Sequence, residues 1–260
     1  MNEQRCSGGR EVHLLKDICL DALAGFTEVE WFRHFVLPRS LADYYYTRLQ
    51  RRRLLKDHLV PVVLHAKSIE ADLAESPVTG AALVHIRKCT QLEKLTFSSV
   101  PLDDSLCETS LLETVRCFHN LRWLELTGVS TVTDSVLAAI AEQNKLLTIL
   151  KLNECANFGD KGLKALGQNC HFLKCVDFSS TQITTRGLDA LANSPCSLTI
   201  EEFLANRCRK LEAEAVEILM TNFPSLRILS LEDCRQILFA PEAVPVRMER
   251  KGQLSWFIFC

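Results

Sequence analysis

The chain has 260 residues, 47% of them hydrophobic and 24% charged, with a formal net charge of −2. That length supports one large domain or two small ones around a substantial core, and the near-neutral charge excludes the global basic field that would hold nucleic acid or an anionic membrane. No stretch of 18 uncharged apolar residues occurs and no apolar segment follows a basic start, so neither a membrane span nor secretion is expected. Twelve cysteines without a CxxC pair fit reduced thiols in the cytoplasm or nucleus better than a disulfide scaffold.

Residues 1–10 are expected to form a disordered tail, and 11–66 a helical cap outside any repeat. "EVHLLKDICLDALAGF" puts Leu15, Ile18, Cys19, Ala22 and Leu23 on one face of an amphipathic helix stopped near Gly25. "TEVEWFRHFV" and "SLADYYYTRLQRRRLLKDHLV" give two further helical patterns, and Pro38 suits the first turn of the second. The basic run Arg48, Arg51, Arg52, Arg53 and Lys56 fits a solvated helix face or a nuclear import signal.

From residue 67 onward the sequence repeats. The frame L-x-x-L-x-L-x-x-C fits "LEKLTFSSV" from 92, "LRWLELTGV" from 121, "LTILKLNEC" from 147, "LKCVDFSST" from 173, "IEEFLANRC" from 200, "LRILSLEDC" from 226 and the start of the frame in "LSWFIFC" from 254. The intervals are 29, 26, 26, 27, 26 and 28 residues, the leucine-rich-repeat range. Between the strands, Val136, Ile140, Leu163, Leu166, Leu188 and Leu191 recur at helical spacing. The pattern predicts a right-handed α/β leucine-rich-repeat horseshoe over 67–260, its parallel sheet on the concave face.

Two sets of positions follow from this frame. Cys155, Thr181, Cys208 and Cys234 share its last place, where a small side chain packs along an internal ladder, and Cys89 and Cys170 hold a second recurrent place. Residues flanking the second leucine point outward and stack from coil to coil. One column is Lys94, Trp123, Ile149, Cys175, Glu202, Ile228 and Trp256; the other is Thr96, Glu125, Lys151, Asp177, Leu204, Ser230 and Ile258. From these, Trp123, Glu125, Ile149, Lys151, Asp177, Glu202, Leu204, Ile228 and Trp256 form the candidate surface for a protein substrate on the concave face, because such apolar side chains do not suit an idle solvated sheet. The alternative is that an irregular C-terminal segment folds over them.

Catalytic motifs are lacking. The seven histidines show no HxxxH or HExxH spacing and no glycine loop suits a phosphate, so no enzyme activity and no cofactor are expected. Cys170, His171 and Cys175 lie close in sequence, but the frame directs them apart, against a zinc site.

The stretch "NCHFLKCVDFSSTQITTRGLDALANSPC" resembles the family of antagonist of mitotic exit network proteins, whose cysteine-containing repeats also occur in F-box proteins; the similarity extends loosely over 70–260. The resemblance implies a non-enzymatic interaction protein, of a kind that commonly serves ubiquitin ligases as substrate receptor. "CRKLEAEAV" and "CRQILFAPEAVPV" depart from the usual Thr-Asp helix entry, and Pro241 and Pro245 should break the last helix. Leu15-x-x-x-Cys19-x-x-x-Leu23 resembles the box by which substrate receptors dock elongin C, and Leu37-Pro38-x-x-Leu41-x-x-x-Tyr45 resembles the downstream box that selects a cullin such as cullin-2. "LPRSLADYYYTRL" is also similar to the start of an F-box, which would recruit the SCF linker protein and cullin-1, although the later Val-Cys-x-x-Trp segment is missing. Both helices could instead simply cap the first repeat, as every solenoid requires. The expected function is that of a substrate receptor of a cullin-RING ubiquitin ligase, or of a stand-alone scaffold or inhibitor.

Overall fold

In the computed structural model, which describes Ile18, Ala22, residues 37–98 and residues 106–238, the repeat frame becomes one sheet of seven parallel strands in chain order. The strands are β1 (Glu70–Asp72), β2 (Lys94–Ser98), β3 (Trp123–Thr127), β4 (Ile149–Lys151), β5 (Cys175–Asp177), β6 (Glu202–Leu204) and β7 (Ile228–Ser230). Ahead of them stand the cap helix α1 (Arg39–Arg51) and the short α2 (Val60–Val63). Each later coil returns through a helix: α3 (Leu83–Ile86), α4 (Glu108–Val115), α5 (Asp134–Gln143), α6 (Asp160–Asn169), α7 (Thr185–Ala192) and α8 (Glu214–Asn222), with α9 (Arg235–Leu238) after the last strand.

The leucines of the frame account for the core. Leu121, Leu124 and Leu126, then Leu147, Leu150 and Leu152, are buried against Val136, Ile140, Leu163 and Leu166 of the helices. Phe158, Phe178, Phe203 and Phe223 continue the core as an edge-to-face stack with centroids 6.0, 5.9 and 6.0 Å apart, an arrangement the ring quadrupoles favour. Helices pack about 8–10 Å apart whereas strands pair at about 4.8 Å, so stacked strand–helix coils curve with the sheet inside.

The chain enters the solenoid one coil earlier than the leucine frame indicates. β1 pairs with β2 in the register Glu70↔Lys94 and Asp72↔Thr96, so Ser68, Ala71, Leu73 and Ser76 occupy the inward frame positions of a first coil. The strand expected from 254, together with Trp256, Ile258, Pro241 and Pro245, lies outside the described residues.

Six of the seven strands, all but β2, are followed by the same device among the described residues. Glu75, Gly128, Glu154, Ser180, Arg207 and Asp233 all hold positive φ, between 55° and 68°, and all occupy the eighth frame position. The backbone N–H of Gly128, Glu154, Ser180 and Arg207 donates across to the next coil's Asn153, Ser179, Asn206 and Glu232 carbonyls at 2.9, 2.8, 2.7 and 2.6 Å. The following residue then turns inward. There the Cys155, Cys208 and Cys234 thiols donate to the Leu126, Phe178 and Ala205 carbonyls of the preceding coil at 2.9, 3.1 and 3.1 Å, while Thr181 bonds its own coil's Phe178 carbonyl at 2.6 Å.

Helix entries tie the coils on the other side. Asp134 accepts from the Gly159 and Gly162 N–H groups, both at 2.8 Å, and Asp160 from the Thr184 hydroxyl at 2.8 Å. Gly162 and Gly187 are glycine because a Cβ would meet Asp134 and Leu137, or Asp160. α8 lacks this entry and starts from Ala213 with no side-chain cap, as its departing sequence implies.

At the N-terminal edge, α1 acts as a cap. Ala42, Tyr45 and Leu49 are buried, one side of a helix meeting the core, and Leu37 and Leu41 pack against the same core. The Tyr46 hydroxyl accepts the Asp72 N–H of β1, and Gln50 donates to the Asp72 carboxylate at 2.9 Å, which blunts the open edge of the sheet. Among the cullin-selecting candidates Leu37, Pro38, Leu41 and Tyr45, the i, i+4, i+8 apolar spacing serves the solenoid: Tyr45 is 1% exposed, Leu37 and Leu41 are half-buried, and Pro38 alone of the set is exposed. Pro38 sits at the N-cap rather than inside the first turn, its carbonyl accepting from Leu41 and Ala42 at 2.9 Å.

The ladder makes a stability difference measurable. Cys155→Ala strips the Leu126 carbonyl of its buried thiol donor, and Cys155→Ser keeps a donor in place. The serine variant is therefore expected to be the more stable by about 1 kcal/mol in denaturant melts. Equal or reversed stabilities would show that Cys155 contributes volume alone.

Candidate protein-binding face

The register places the outward columns where the alternation of the strands requires. Lys94, Trp123, Ile149, Cys175, Glu202 and Ile228 pair in succession across β2 to β7, and Thr96, Glu125, Lys151, Asp177, Leu204 and Ser230 form the neighbouring column. β1 adds Glu70 and Asp72, which the leucine frame did not reveal. Alternation in "SIEADL", with Ala71 and Leu73 inward, is the signal that could have found them.

Trp123 anchors one half of the face. The Lys94 and Lys151 ammonium groups lie 5.0 and 5.5 Å from its ring centroid, close enough for cation–π attraction. Lys94 also pairs with Glu70 at 2.7 Å and Lys151 with Glu125 at 3.7 Å, so a ring and two ion pairs brace one another across four strands. Trp123 and Ile149 remain half-buried, and Ile228 is 36% exposed.

Beyond β4 the charges change character. Asp177 accepts the Ser179 N–H at 2.9 Å, and neither it nor Glu202 forms an ion pair among the described residues. Cys175 lies between them on the sheet, its thiol pushed up to about 12, first by burial and then by Glu202. Leu204 stands beside Asp177 and Ile228 beside Glu202.

The other candidate positions are plainly located. Ile18 and Ala22 are helical and exposed, whereas Leu15, Cys19 and Leu23 lie outside the described residues, as does Trp256. Cys155, Thr181, Cys208 and Cys234 are buried in the ladder. Cys170 approaches the Ala141 and Asn144 carbonyls at 4.0 and 3.9 Å, His171 turns to the Gln168 carbonyl at 3.0 Å, and Cys175 faces out from the sheet, so these three diverge. Among the described residues no three His, Cys, Asp or Glu side chains converge to hold a metal.

A family model described as Leucine Rich repeat matches residues 143–167 and 169–192, over β4 to α7. Together with the seven parallel strands in chain order among the described residues, this match gives the leucine-rich-repeat fold. F-box protein FBX14 of Arabidopsis thaliana is 27% identical to it over 161 residues, covering 53% of this chain and 26% of that protein. Antagonist of mitotic exit network protein 1 of Candida glabrata is 25% identical over 169 residues, covering 63% and 32%. The chain thus spans roughly a quarter to a third of the length of these curated relatives. Among solved structures, the yeast Rad7 and Elc1 complex gives a TM-score of 0.32 at 13% identity, over 94% of this chain and 91% of the matched one. An internalin of Listeria monocytogenes gives 0.40 at 17% identity, over 73% and 55%.

The thiols separate by environment. Burial pushes Cys155 and Cys170 up to about 12, keeping both protonated at neutral pH, whereas the Thr109 hydroxyl and the Ser110 N–H lower exposed Cys107 at the N-cap of α4. A lowered thiol has more thiolate at any pH below its ordinary range, so it alkylates at lower pH. Peptide mapping after brief iodoacetamide treatment at pH 7.5 is expected to find Cys107 modified and Cys155, Cys170 and Cys208 protected until the chain is unfolded. Native-state labelling of Cys155 as fast as Cys107 would contradict its role as a packed ladder residue.

Proposed function

We propose that this chain is a non-enzymatic adaptor that holds a protein on the sheet face and presents it to a cullin-RING ubiquitin ligase. The observation that carries the binding half is the row of partly exposed Trp123, Ile149, Leu204 and Ile228 across β3 to β7 of one hydrogen-bonded sheet, since aromatic and aliphatic anchors on a rigid surface dominate binding energy. The ligase half rests on the likeness of Leu15, Cys19 and Leu23 to an elongin C docking box and on the similarity of the repeats to an F-box protein. In such an assembly the transfer chemistry belongs to other subunits, and this chain supplies proximity, in the cytoplasm or nucleus.

A stand-alone scaffold or inhibitor is the second reading. Packing of half-buried Leu41 and buried Tyr45 against the core supports it, because α1 then has a role as cap without any cullin.

Two variants test these readings separately. Leu15→Glu is expected to abolish co-purification with elongin C while circular dichroism stays unchanged, a loss on the order of 2 kcal/mol or more. Retained elongin C, or no elongin C, F-box linker or cullin on the unaltered chain, would leave the scaffold reading standing. Trp123→Ala combined with Ile149→Ser is expected to keep the melting temperature within a few degrees and any adaptor association, yet release the protein partner. A fall of about ten degrees or more would place the stripe in the core and refute the binding face.

A further inference from the structure

The two halves of the face differ in charge compensation, and the difference specifies what fits. Both ammonium groups in the outward columns, Lys94 and Lys151, are engaged by Glu70, Glu125 and the Trp123 ring. Asp177 and Glu202 stand half-buried on the adjacent strands β5 and β6 with no cation partner among the described residues. Apolar Ile149 lies on one side of them, and Leu204 and Ile228 on the other.

We infer that the face receives a short extended segment of a partner protein reading apolar–x–basic–x–apolar, with its lysine or arginine between Asp177 and Glu202. This rests on the sheet as the binding surface and names the chemistry of its occupant. Ile149 on β4 and Ile228 on β7 are three strand spacings apart, about 14 Å at roughly 4.8 Å each. Along an extended chain, residues i and i+4 point the same way and lie about 13 Å apart, so both reach apolar seats at once. Residue i+2 falls midway, over β5 and β6. A basic side chain there makes charge-assisted hydrogen bonds to one or both carboxylates. An acidic or neutral residue would cover two half-buried carboxylates without compensation, so the same pair rejects the wrong segment.

The test is selection of a randomised heptapeptide library on the full chain, followed by titration of the most enriched peptide. Enriched sequences are expected to carry lysine or arginine at one position with apolar residues two places to either side. Asp177→Asn combined with Glu202→Gln is expected to weaken that peptide at least tenfold without moving the melting temperature, because the asparagine still accepts the Ser179 N–H; the unaltered chain should lose affinity as salt is raised. Enriched peptides lacking a basic centre, or equal affinity for the double variant, would overturn the inference while the face reading holds, provided Trp123→Ala with Ile149→Ser abolishes binding. Peptides bound equally by both double variants would overturn the face reading as well. A library yielding no binder above background would overturn the linear segment.

Discussion

The left-handed residue that follows six of the seven described strands is the constraint on which the rest depends. It lets a parallel strand stop after three to five residues and turn inward, and its N–H secures the next coil through a carbonyl at 2.6–2.9 Å. A side chain in that conformation costs roughly 1–2 kcal/mol, yet among the described residues glycine occupies it only at Gly128. Repetition of the inter-coil hydrogen bond offsets the strain, because an unpaired buried N–H at each turn would be worse. With the turn fixed, the ninth residue has no choice but to point into the core. The thiols of Cys155, Cys208 and Cys234 suit that place because each combines small volume with a donor for the coil before it.

Much of this was legible because strands and helices in a solenoid obey two simple periods at once. Apolar residues, mostly leucine, at positions 1, 4 and 6 marked β2 to β7, and the i, i+3, i+4 residues between them marked α5 to α7. The first coil escaped because Ser68, Ala71 and Ser76 replace the larger residues of the frame: the cap helix, not a preceding coil, packs against that edge. The left-handed turns escaped for a related reason. Glutamate, serine, arginine and aspartate at position 8 carry no propensity for positive φ strong enough to announce it, and only the coil above makes the conformation worthwhile.

The site divides the same way. Which residues share the outward columns follows from alternation alone, and the register bears out every pairing within the described strands. What the columns do with one another does not follow, because lateral neighbours come from residues about 26 apart whose rotamers settle only in the folded sheet. Alternation places Lys94 and Lys151 in the outward columns but carries no sign that both flank Trp123. Tyr45 looked like part of a docking pattern and is core, since a leucine-tyrosine stripe on one helix face is equally what a cap requires.

The ion pairs on the face contribute little to folding. Lys94 and Glu70 keep 32% and 47% of their side-chain surface, and Lys151 and Glu125 keep 32% and 24%, so solvent screens both pairs and each contributes at most about 1 kcal/mol to folding. The fold itself is secured by the buried leucines, the phenylalanine stack and the inter-coil hydrogen bonds, none of which needs a charge on the outward side. Of the outward charges, Asp72 and Asp177 also serve the fold, by accepting from Gln50 and from the Ser179 N–H, whereas the two lysine ion pairs add little to it. A braced tryptophan at one end and a carboxylate pair without a cation partner among the described residues beyond it form a gradient along the coils, which would give the proposed partner segment a direction as well as a place.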